Sequence, residues 1–206
     1  MKIIDKLKER FKKQTIWANL SDAIFVLLII GVIVPYTRTE ILGIGGRIRT
    51  YIWQPTVDLE NAPTLSVADY DFEIADLQGN KINFSSLKGK VVFLNFWATW
   101  CPPCVGEMPD IEKLYVKFKD NPKVAFVIVS SESLSAIKPF IEKREYKMPV
   151  YMLVSSLPQA FGSNTIPVTF IISKTGKVAV NQVGAANWSG SKTTNLIEQL
   201  IEELQH

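Results

Sequence analysis

Two cysteines separated by two prolines are the residues of this sequence best suited to chemistry. Cys101 and Cys104 are its only cysteines among 206 residues, and its only histidine, His206, is the last residue. A C-x-x-C pair can form a redox-active disulfide, supply half of a tetrahedral zinc site, or pack as inert buried thiols. A single histidine allows neither a histidine-based triad nor a two-histidine metal site, so we expect no metal and no cofactor.

The position of the pair favours redox chemistry. It directly follows Val91–Trp97 (VVFLNFW), which is typical of a strand buried on both faces, and it opens a predicted helix. A helix N-terminus favours a thiolate, so Cys101 is predicted to be the exposed attacking sulfur. Cys104, one turn inside, would resolve the mixed disulfide. Pro103 suits the first helical position, where its missing N–H costs nothing.

The two intervening prolines predict a reductant rather than an oxidant. Neither Pro102 nor Pro103 can donate an N–H to a neighbouring sulfur. A thiolate with fewer hydrogen bonds is less stabilised, and stabilising the reduced form is what makes a dithiol protein oxidising.

The chain from Tyr70 onward supplies the elements that must position this pair. A hairpin is predicted where two apolar runs flank Gln78-Gly79-Asn80. Apolar periodicity then predicts further strands and three helices, the last of them closing the chain. Alternating strands and helices followed by a hairpin and a helix predict an α/β sandwich built on a mixed sheet. The predicted strands are Phe72–Leu77, Lys81–Phe84, Val91–Trp97, Val124–Val129, Pro149–Val154, Val168–Ile172 and Val178–Val183; the helices follow Cys101, cover Leu134–Tyr146 and carry the stripe Leu196, Ile197, Leu200, Ile201 and Leu204.

The N-terminal part of the sequence is predicted to be a membrane anchor. Residues 1–15 carry six bases against two acids, and Ile16–Tyr36 would span roughly 31 Å as a helix, close to the thickness of a bilayer core. A cleaved signal peptide is the alternative, because the uncharged stretch Ala23–Tyr36 has the length of its apolar region. No small-residue cleavage site follows that stretch, which favours an uncleaved transmembrane signal anchor.

This reading divides the chain into four parts: a cytosolic basic tail (1–15), a single transmembrane span (16–36), a linker (37–69) and a catalytic domain (70–206). The positive-inside rule keeps the tail cytosolic, so the domain would lie outside the cytoplasmic (inner) membrane. Beyond residue 15 the net charge is −1, and we therefore expect no nucleic-acid partner.

Four stretches carry a family resemblance: DFEIADLQGNKINFSSLKGK, VVFLNFWATWCPPCVGEMP, TIPVTFIISKTGKV and VGA. With them the sequence from Asp71 resembles the TlpA/ResA-like branch of the thioredoxin superfamily. The resemblance implies a thioredoxin-like fold with an extra N-terminal β-hairpin. It also implies a membrane-tethered thiol–disulfide oxidoreductase whose substrates are disulfides of exported proteins, apocytochrome c in some members. A membrane thiol carrier would then be the electron donor.

The resemblance also assigns Pro167 and Ile166. Pro167 matches the cis-proline that faces the cysteine pair, and the Ile166 backbone would be free to pair with a substrate strand. Without the family context, an ordinary trans proline at a strand edge is the simpler interpretation.

Glu107 matches a glutamate that the family places near its active site. It could exchange protons with Cys104 or raise thiol pKa values, although a solvated helix glutamate is an equally simple interpretation. Asn95 departs from the buried aspartate of cytosolic thioredoxins. Because an amide cannot accept a proton as a carboxylate does, Glu107 is the better candidate base, and Asn95 is expected to be a hydrogen-bonded structural group.

Two further positions are candidate substrate contacts. Trp100 lies on the active-site turn and is predicted to be a surface contact, whereas Trp97 is predicted to be core. Gly184 could permit close substrate approach, although a turn at a strand end explains it equally well.

Three other functions compete with disulfide reduction. A peroxiredoxin-like peroxidase lacks its usual P-x-x-x-[ST]-x-x-C pattern here, and a copper-delivery module lacks both C-x-x-x-C spacing and a usable histidine. A structural domain with a vestigial site is disfavoured because both thiols and the presumed cis-proline are present.

Overall fold

The computed structural model describes residues 16–33, 55–57 and 62–203 and divides the chain into two compact units, Met1–Leu42 and Gly43–His206. In the first unit, helix α1 covers Ile16–Ile33. Within the described residues, no helix is both long and apolar enough to cross a membrane. The predicted tail (1–15), the end of the predicted span and most of the predicted linker lie outside the described residues. Large apolar side chains are exposed on α1: Leu20, Ile24, Phe25, Val26, Leu27 and Ile29.

The second unit is built on a mixed seven-stranded sheet, which confirms the predicted α/β architecture. Its strand order is β2-β1-β5-β4-β3-β6-β7. The central strand β3 pairs in parallel with β4 and antiparallel with β6. The strands are β1 (Glu73–Asp76), β2 (Lys81–Asn83), β3 (Val91–Trp97), β4 (Val124–Ser130), β5 (Val150–Leu153), β6 (Val168–Ile172) and β7 (Val178–Val183).

Strand β3 is buried along its whole length because both faces of the sheet are covered. Successive side chains point to opposite faces, so Phe93 and Trp97 join one hydrophobic cluster while Leu94 and Phe96 join the other. A strand buried on both faces needs a continuous apolar run, and that run is what the sequence shows.

Three helices contribute buried side chains to one of these clusters. They are α2 (Pro102–Phe118), α3 (Leu134–Arg144) and α4 (Ser191–Glu202). The predicted end of α3 at Tyr146 is wrong, because Glu145 adopts a left-handed conformation (φ 54°) that stops the helix at Arg144. The stripe on α4 is confirmed through Leu200, and Leu204 lies outside the described residues.

Stacked aromatic rings, rather than long helices, cover the opposite face. Phe72 stacks on Phe84 at 4.5 Å between ring centroids, and Phe161 meets Phe84 edge to face at 5.8 Å. Short 3₁₀ helices (Ala68–Tyr70, Phe84–Leu87 and Gln159–Phe161) carry several of these rings. Within the described residues no α-helix contributes to this cluster, which leaves room near the carboxyl end of β3.

The predicted N-terminal hairpin is confirmed. Strands β1 and β2 pair antiparallel with Ile74 opposite Ile82. Asp76 closes the turn by accepting hydrogen bonds from the backbone N–H groups of Gln78 and Asn80, both 2.8 Å, and Gly79 takes a positive φ of 90°.

The last residues of the predicted linker are hydrogen-bonded to the sheet. Thr64 forms an isolated β-bridge with Lys177, and the Val178 N–H donates to the Pro63 carbonyl at 2.9 Å. This pairing holds the incoming segment against the β6–β7 turn.

Candidate active site

The cysteine pair lies where β3 gives way to α2, as the sequence predicts. Cys101 and Cys104 are joined by a disulfide, with their Cα atoms 5.3 Å apart. Cys101 is the N-cap of α2, and its sulfur accepts the Cys104 N–H at 3.3 Å. Pro102 and Pro103 occupy the first two helical positions, so the prediction that Pro103 is first is wrong by one residue.

Burial of the two sulfurs differs from the prediction in one respect. Cys104 is fully buried, as expected for the resolving cysteine. Cys101 was expected to be exposed, but in this oxidised pair its residue is only 4% accessible. The prediction of an exposed Cys101 is therefore wrong for the oxidised pair.

A carboxylate that the sequence did not single out holds the turn before the cysteines. Glu132, just beyond β4, accepts hydrogen bonds from the Thr99 N–H at 2.6 Å and the Thr99 hydroxyl at 2.8 Å. The Ser130 hydroxyl also donates to it, at 3.3 Å. Because β3 and β4 are parallel neighbours with Trp97 opposite Ser130, their carboxyl ends bring these residues together.

The loop before β6 faces the disulfide. The Ile166–Pro167 peptide bond is cis, as the resemblance implies. The Ile166 carbonyl oxygen lies 3.8 Å from the Cys101 sulfur, which carries no proton in the oxidised pair. Within the described part of the chain, no backbone acceptor takes up the Ile166 N–H. This backbone is therefore available to a substrate strand, and its role in binding one stays a prediction.

The remaining predicted contacts have distinct environments. Trp100 is 65% exposed beside the disulfide, whereas Trp97 is core, as expected. Gly184 has a φ of 86°, and its N–H donates to the Pro167 carbonyl at 2.8 Å. A Cβ at Gly184 would meet no atom within 4 Å, so the positive φ at the strand end, rather than close packing, favours glycine here. Its role in substrate approach stays a prediction.

Glu107 is completely buried one helical turn after Cys104, so the alternative of a solvated glutamate is wrong. One carboxylate oxygen accepts the Asn95 side-chain N–H at 2.9 Å. The other accepts the Trp188 indole N–H at 2.8 Å and the Ala186 backbone N–H at 3.2 Å. Within the described residues, three donors and no cation therefore surround the carboxylate.

Burial raises the pKa of the Glu107 carboxyl to about 7. The hydrogen bonds from Trp188, Asn95 and Ala186 lower this pKa and so partly offset the burial, while the negative charge of Asp110 adds a smaller increase. A carboxyl with a pKa near 7 exchanges protons readily at neutral pH.

Asn95 is buried and hydrogen-bonded, as predicted. Its amide N–H₂ donates to Glu107 and, at 2.8 Å, to the hydroxyl of Thr169, its cross-strand partner on β6. Its carbonyl oxygen has no hydrogen-bond partner within the described residues. A protonated Glu107 would have a hydrogen to donate, and turning the Asn95 amide over would present this oxygen to it.

Sequence reasoning missed Glu132, Thr169 and Trp188. A signal for Glu132 existed, because Thr99 and Glu132 each lie two residues beyond neighbouring parallel strands. Trp188 gave no such signal, since only the folding of the chain after β7 brings its indole back to α2.

Three comparisons with known proteins agree with this site. The family model of the AhpC/TSA family matches residues 66–181. The thiol–disulfide oxidoreductase ResA of Bacillus cereus (strain ATCC 10987) is 30% identical over 165 residues, covering 80% of this chain and 92% of that protein. ResA of Bacillus thuringiensis subsp. konkukian is 33% identical over 135 residues, covering 65% and 75%.

Solved structures agree as well. The crystal structure of a thiol:disulfide interchange protein of the thioredoxin family from Chlorobium tepidum matches with a TM-score of 0.53 and 27% identity, covering 72% of this chain and 97% of that one. Together with the strand–turn–helix setting of Cys101 and Cys104, this similarity confirms the expected thioredoxin-like fold and thiol–disulfide oxidoreductase activity. The chain belongs to the AhpC/TSA family within the thioredoxin superfamily, and it is a ResA-like thiol–disulfide oxidoreductase.

Proposed function

We propose that this enzyme is a membrane-tethered reductase of disulfides in exported proteins. The observation that carries the proposal is the arrangement of a buried carboxyl, Glu107, one turn behind a helix-capping cysteine pair whose intervening residues lack N–H donors. The first feature supplies a proton acceptor near neutral pH, and the second disfavours the thiolate and so favours reducing power.

The reaction transfers two electrons from the reduced pair to a client, whose two sulfurs leave as thiolates and take up protons from water. The Cys101 thiolate attacks one client sulfur, which breaks the client disulfide, forms a mixed disulfide and releases the other client sulfur as a thiolate that takes up a proton. Cys104 then loses its proton and attacks the Cys101 sulfur, which releases the second client thiolate and leaves the Cys101–Cys104 disulfide. A membrane thiol carrier would return the pair to its reduced form.

Glu107 has the properties of the base for the second step. It lies one turn from Cys104 on the same face of α2, and its pKa of about 7 lets it accept a proton at neutral pH. The three donors around it stabilise the carboxylate once Cys104 has reacted and the proton has left the site.

The backbone beside the disulfide supports binding of an extended client. The Ile166 carbonyl and N–H are available next to Cys101, and the exposed side chain of Trp100 lies beside the cysteine pair in the chain. Main-chain pairing of this kind gives affinity with little dependence on client sequence.

Anchoring at the cytoplasmic membrane, with the domain outside the cytosol, is part of the proposal. The six bases of residues 1–15, the apolar stretch Ile16–Tyr36 and the exposed apolar side chains of α1 support it. Two measurements on the full chain expressed in bacteria test it. We expect the protein to stay in the membrane fraction after alkaline extraction, and protease added to spheroplasts to digest the domain. Release by alkali or protection from protease would contradict the anchor or its orientation.

Capture of mixed disulfides identifies the clients. In a Cys104→Ser variant the second step is blocked, so clients should stay covalently bound to Cys101, whereas a Cys101→Ser variant should bind none. We expect the captured proteins to be exported proteins with cysteine pairs, and recovery of apocytochrome c would assign the enzyme to cytochrome c maturation. Equal capture by both variants would contradict the mechanism.

A further inference from the structure

An apolar cavity of about 140 Å³ opens beside the disulfide at the carboxyl end of the sheet. Its walls come from the ends of four strands, through Phe96, Val129, Leu153 and Val168, and from the loop that contains Leu157 and Phe161. None of the residues that line it is charged. Crevices at the carboxyl ends of strands are where α/β proteins usually bind ligands.

The cavity exists because this corner of the sheet lacks an α-helix. The three helices of the domain contribute to the opposite cluster, and here only the 3₁₀ helix Gln159–Phe161 and its flanking loops cover the strand ends. Phe161 is fixed against Phe170 at 5.2 Å between ring centroids, which gives the cavity a rigid floor. A small preformed apolar space is therefore part of the fold.

The cavity lies next to the reactive sulfur without including it. Trp100 and Ile166 both line it, and the Ile166 carbonyl is 3.8 Å from the Cys101 sulfur. A client strand paired with the Ile166 backbone would place its cysteine at Cys101. Side chains two residues from that cysteine point to the same face, about 7 Å away. One of these side chains would lie over the cavity.

The size of the cavity selects the occupant. An apolar protein cavity of about 150 Å³ holds one benzene molecule. We infer that the enzyme prefers clients with one medium-sized apolar side chain, such as leucine, methionine or phenylalanine, two residues from the reacting cysteine. Tryptophan is too large for the space. A charged side chain would lose its water without gaining an opposite charge, because the polar side-chain groups of the lining, the hydroxyls of Ser131 and Ser163 and two tryptophan indole N–H groups, are all neutral. This inference rests on the proposed function and adds a substrate preference to it.

Synthetic peptides test the preference on the full-length enzyme in detergent. Each peptide, Ser-X-Ser-Cys-Ser-X-Ser, is a disulfide-linked dimer, and X is Leu, Phe, Ala, Glu or Trp. The pre-reduced enzyme is mixed with each dimer, and the rate of single-turnover reduction is measured. We expect Leu and Phe to react roughly tenfold to a hundredfold faster than Ala and Glu, with Trp below Phe.

The outcomes distinguish the side-chain preference from the proposed disulfide reduction. Equal rates for all five peptides, together with rapid reduction, would overturn the side-chain preference and leave disulfide reduction intact. Failure to reduce any peptide or the small disulfide DTNB would overturn the proposed function, and the preference with it.

A variant with a filled cavity gives a second test. Leu157→Trp should bring the ratio of Leu to Ala rates close to one, because the new indole would occupy the space. The matched control is Val116→Trp, at a half-exposed position on α2, which should keep the wild-type ratio. Each ratio is measured within a single variant, so partial loss of folded enzyme cancels. An unchanged ratio in a folded Leu157→Trp enzyme would overturn the inference.

Discussion

Glu107 couples the cysteine pair to pH. Its carboxyl is completely buried, and the donors around it compensate only part of the cost of its charge, so its pKa rises to about 7. A carboxyl whose pKa is higher in the folded protein than in the unfolded chain contributes stability at low pH. That contribution is lost as the pH rises through the folded-state pKa.

Replacing Glu107 with glutamine should remove both the pH dependence of stability and the transfer of the Cys104 proton. Wild-type oxidised protein should lose about 3 kcal/mol of unfolding free energy between pH 4 and pH 8, whereas Glu107→Gln should show little of this loss. The rate of disulfide reduction should fall about a hundredfold at neutral pH and lose its inflection near pH 7, because glutamine cannot accept the Cys104 proton. Denaturant unfolding across this pH range and a pH–rate profile are the measurements.

Glu142→Gln is the control, since it removes an exposed carboxylate on α3. It should keep both the pH dependence of stability and the inflection in rate. An inflection near pH 7 that persists in Glu107→Gln would assign the titration to another group.

At the residue scale, the sequence predicted the reactive atoms better than their surroundings. Cys101, Cys104 and Pro167 follow from spacing and family resemblance. The burial of Glu107 does not, because its three donors come from Asn95, Ala186 and Trp188, up to 81 residues away. Only the tertiary structure distinguishes such a glutamate from a solvated one.

The start of helix α2 determines how strongly the reactive sulfur is stabilised. An N-cap side chain normally accepts an N–H from the second or third helical residue. Here the second is Pro103, which has no N–H, so only Cys104 donates to the Cys101 sulfur. The helix therefore offers its cap one donor fewer than usual.

Restoring that donor should make the enzyme less reducing. Pro103→Ala adds an N–H within reach of the Cys101 thiolate, and a hydrogen bond to a charged group contributes about 1.5–3 kcal/mol. We expect the midpoint potential to rise by roughly 30–60 mV and the Cys101 thiol pKa to fall. Equilibration with glutathione and thiol titration measure the two quantities.

Pro102→Ala is the matched control. It makes the same chemical change at the first helical position, whose N–H does not point at the cap, and it should shift the potential much less. Equal shifts for the two alanine variants would show that loss of proline rigidity, rather than the added donor, controls the potential.

At the element scale, apolar periodicity predicted the strands and helices almost to the residue, because the central strands are buried on both faces. Boundaries that depend on one backbone conformation were missed, as at Glu145. The cavity beside the disulfide was also not predicted. It forms because no α-helix of the described residues covers the strand ends on that face of the sheet, and no residue pattern indicates this.

At the scale of the whole molecule, we propose a reducing site that is held at the membrane by an N-terminal anchor. Every residue of the described site lies between Asn95 and Trp188, so we expect the chemistry to be independent of the predicted tail and linker. The order of these parts is a prediction from charge and hydropathy. The pairing of residues 63–65 with the β6–β7 turn was not predicted, because their periodicity is weak.

The midpoint potential of the Cys101–Cys104 pair in the full-length protein tests the central claim most directly. Equilibration with defined ratios of reduced and oxidised thioredoxin or glutathione gives this value. Pro102 and Pro103 have no N–H to donate to the Cys101 sulfur. If this makes the enzyme a reductant, its midpoint potential should lie between about −230 mV, as in glutaredoxins, and about −270 mV, as in thioredoxin. A potential near −120 mV, which is that of a strong periplasmic oxidant, would contradict the account.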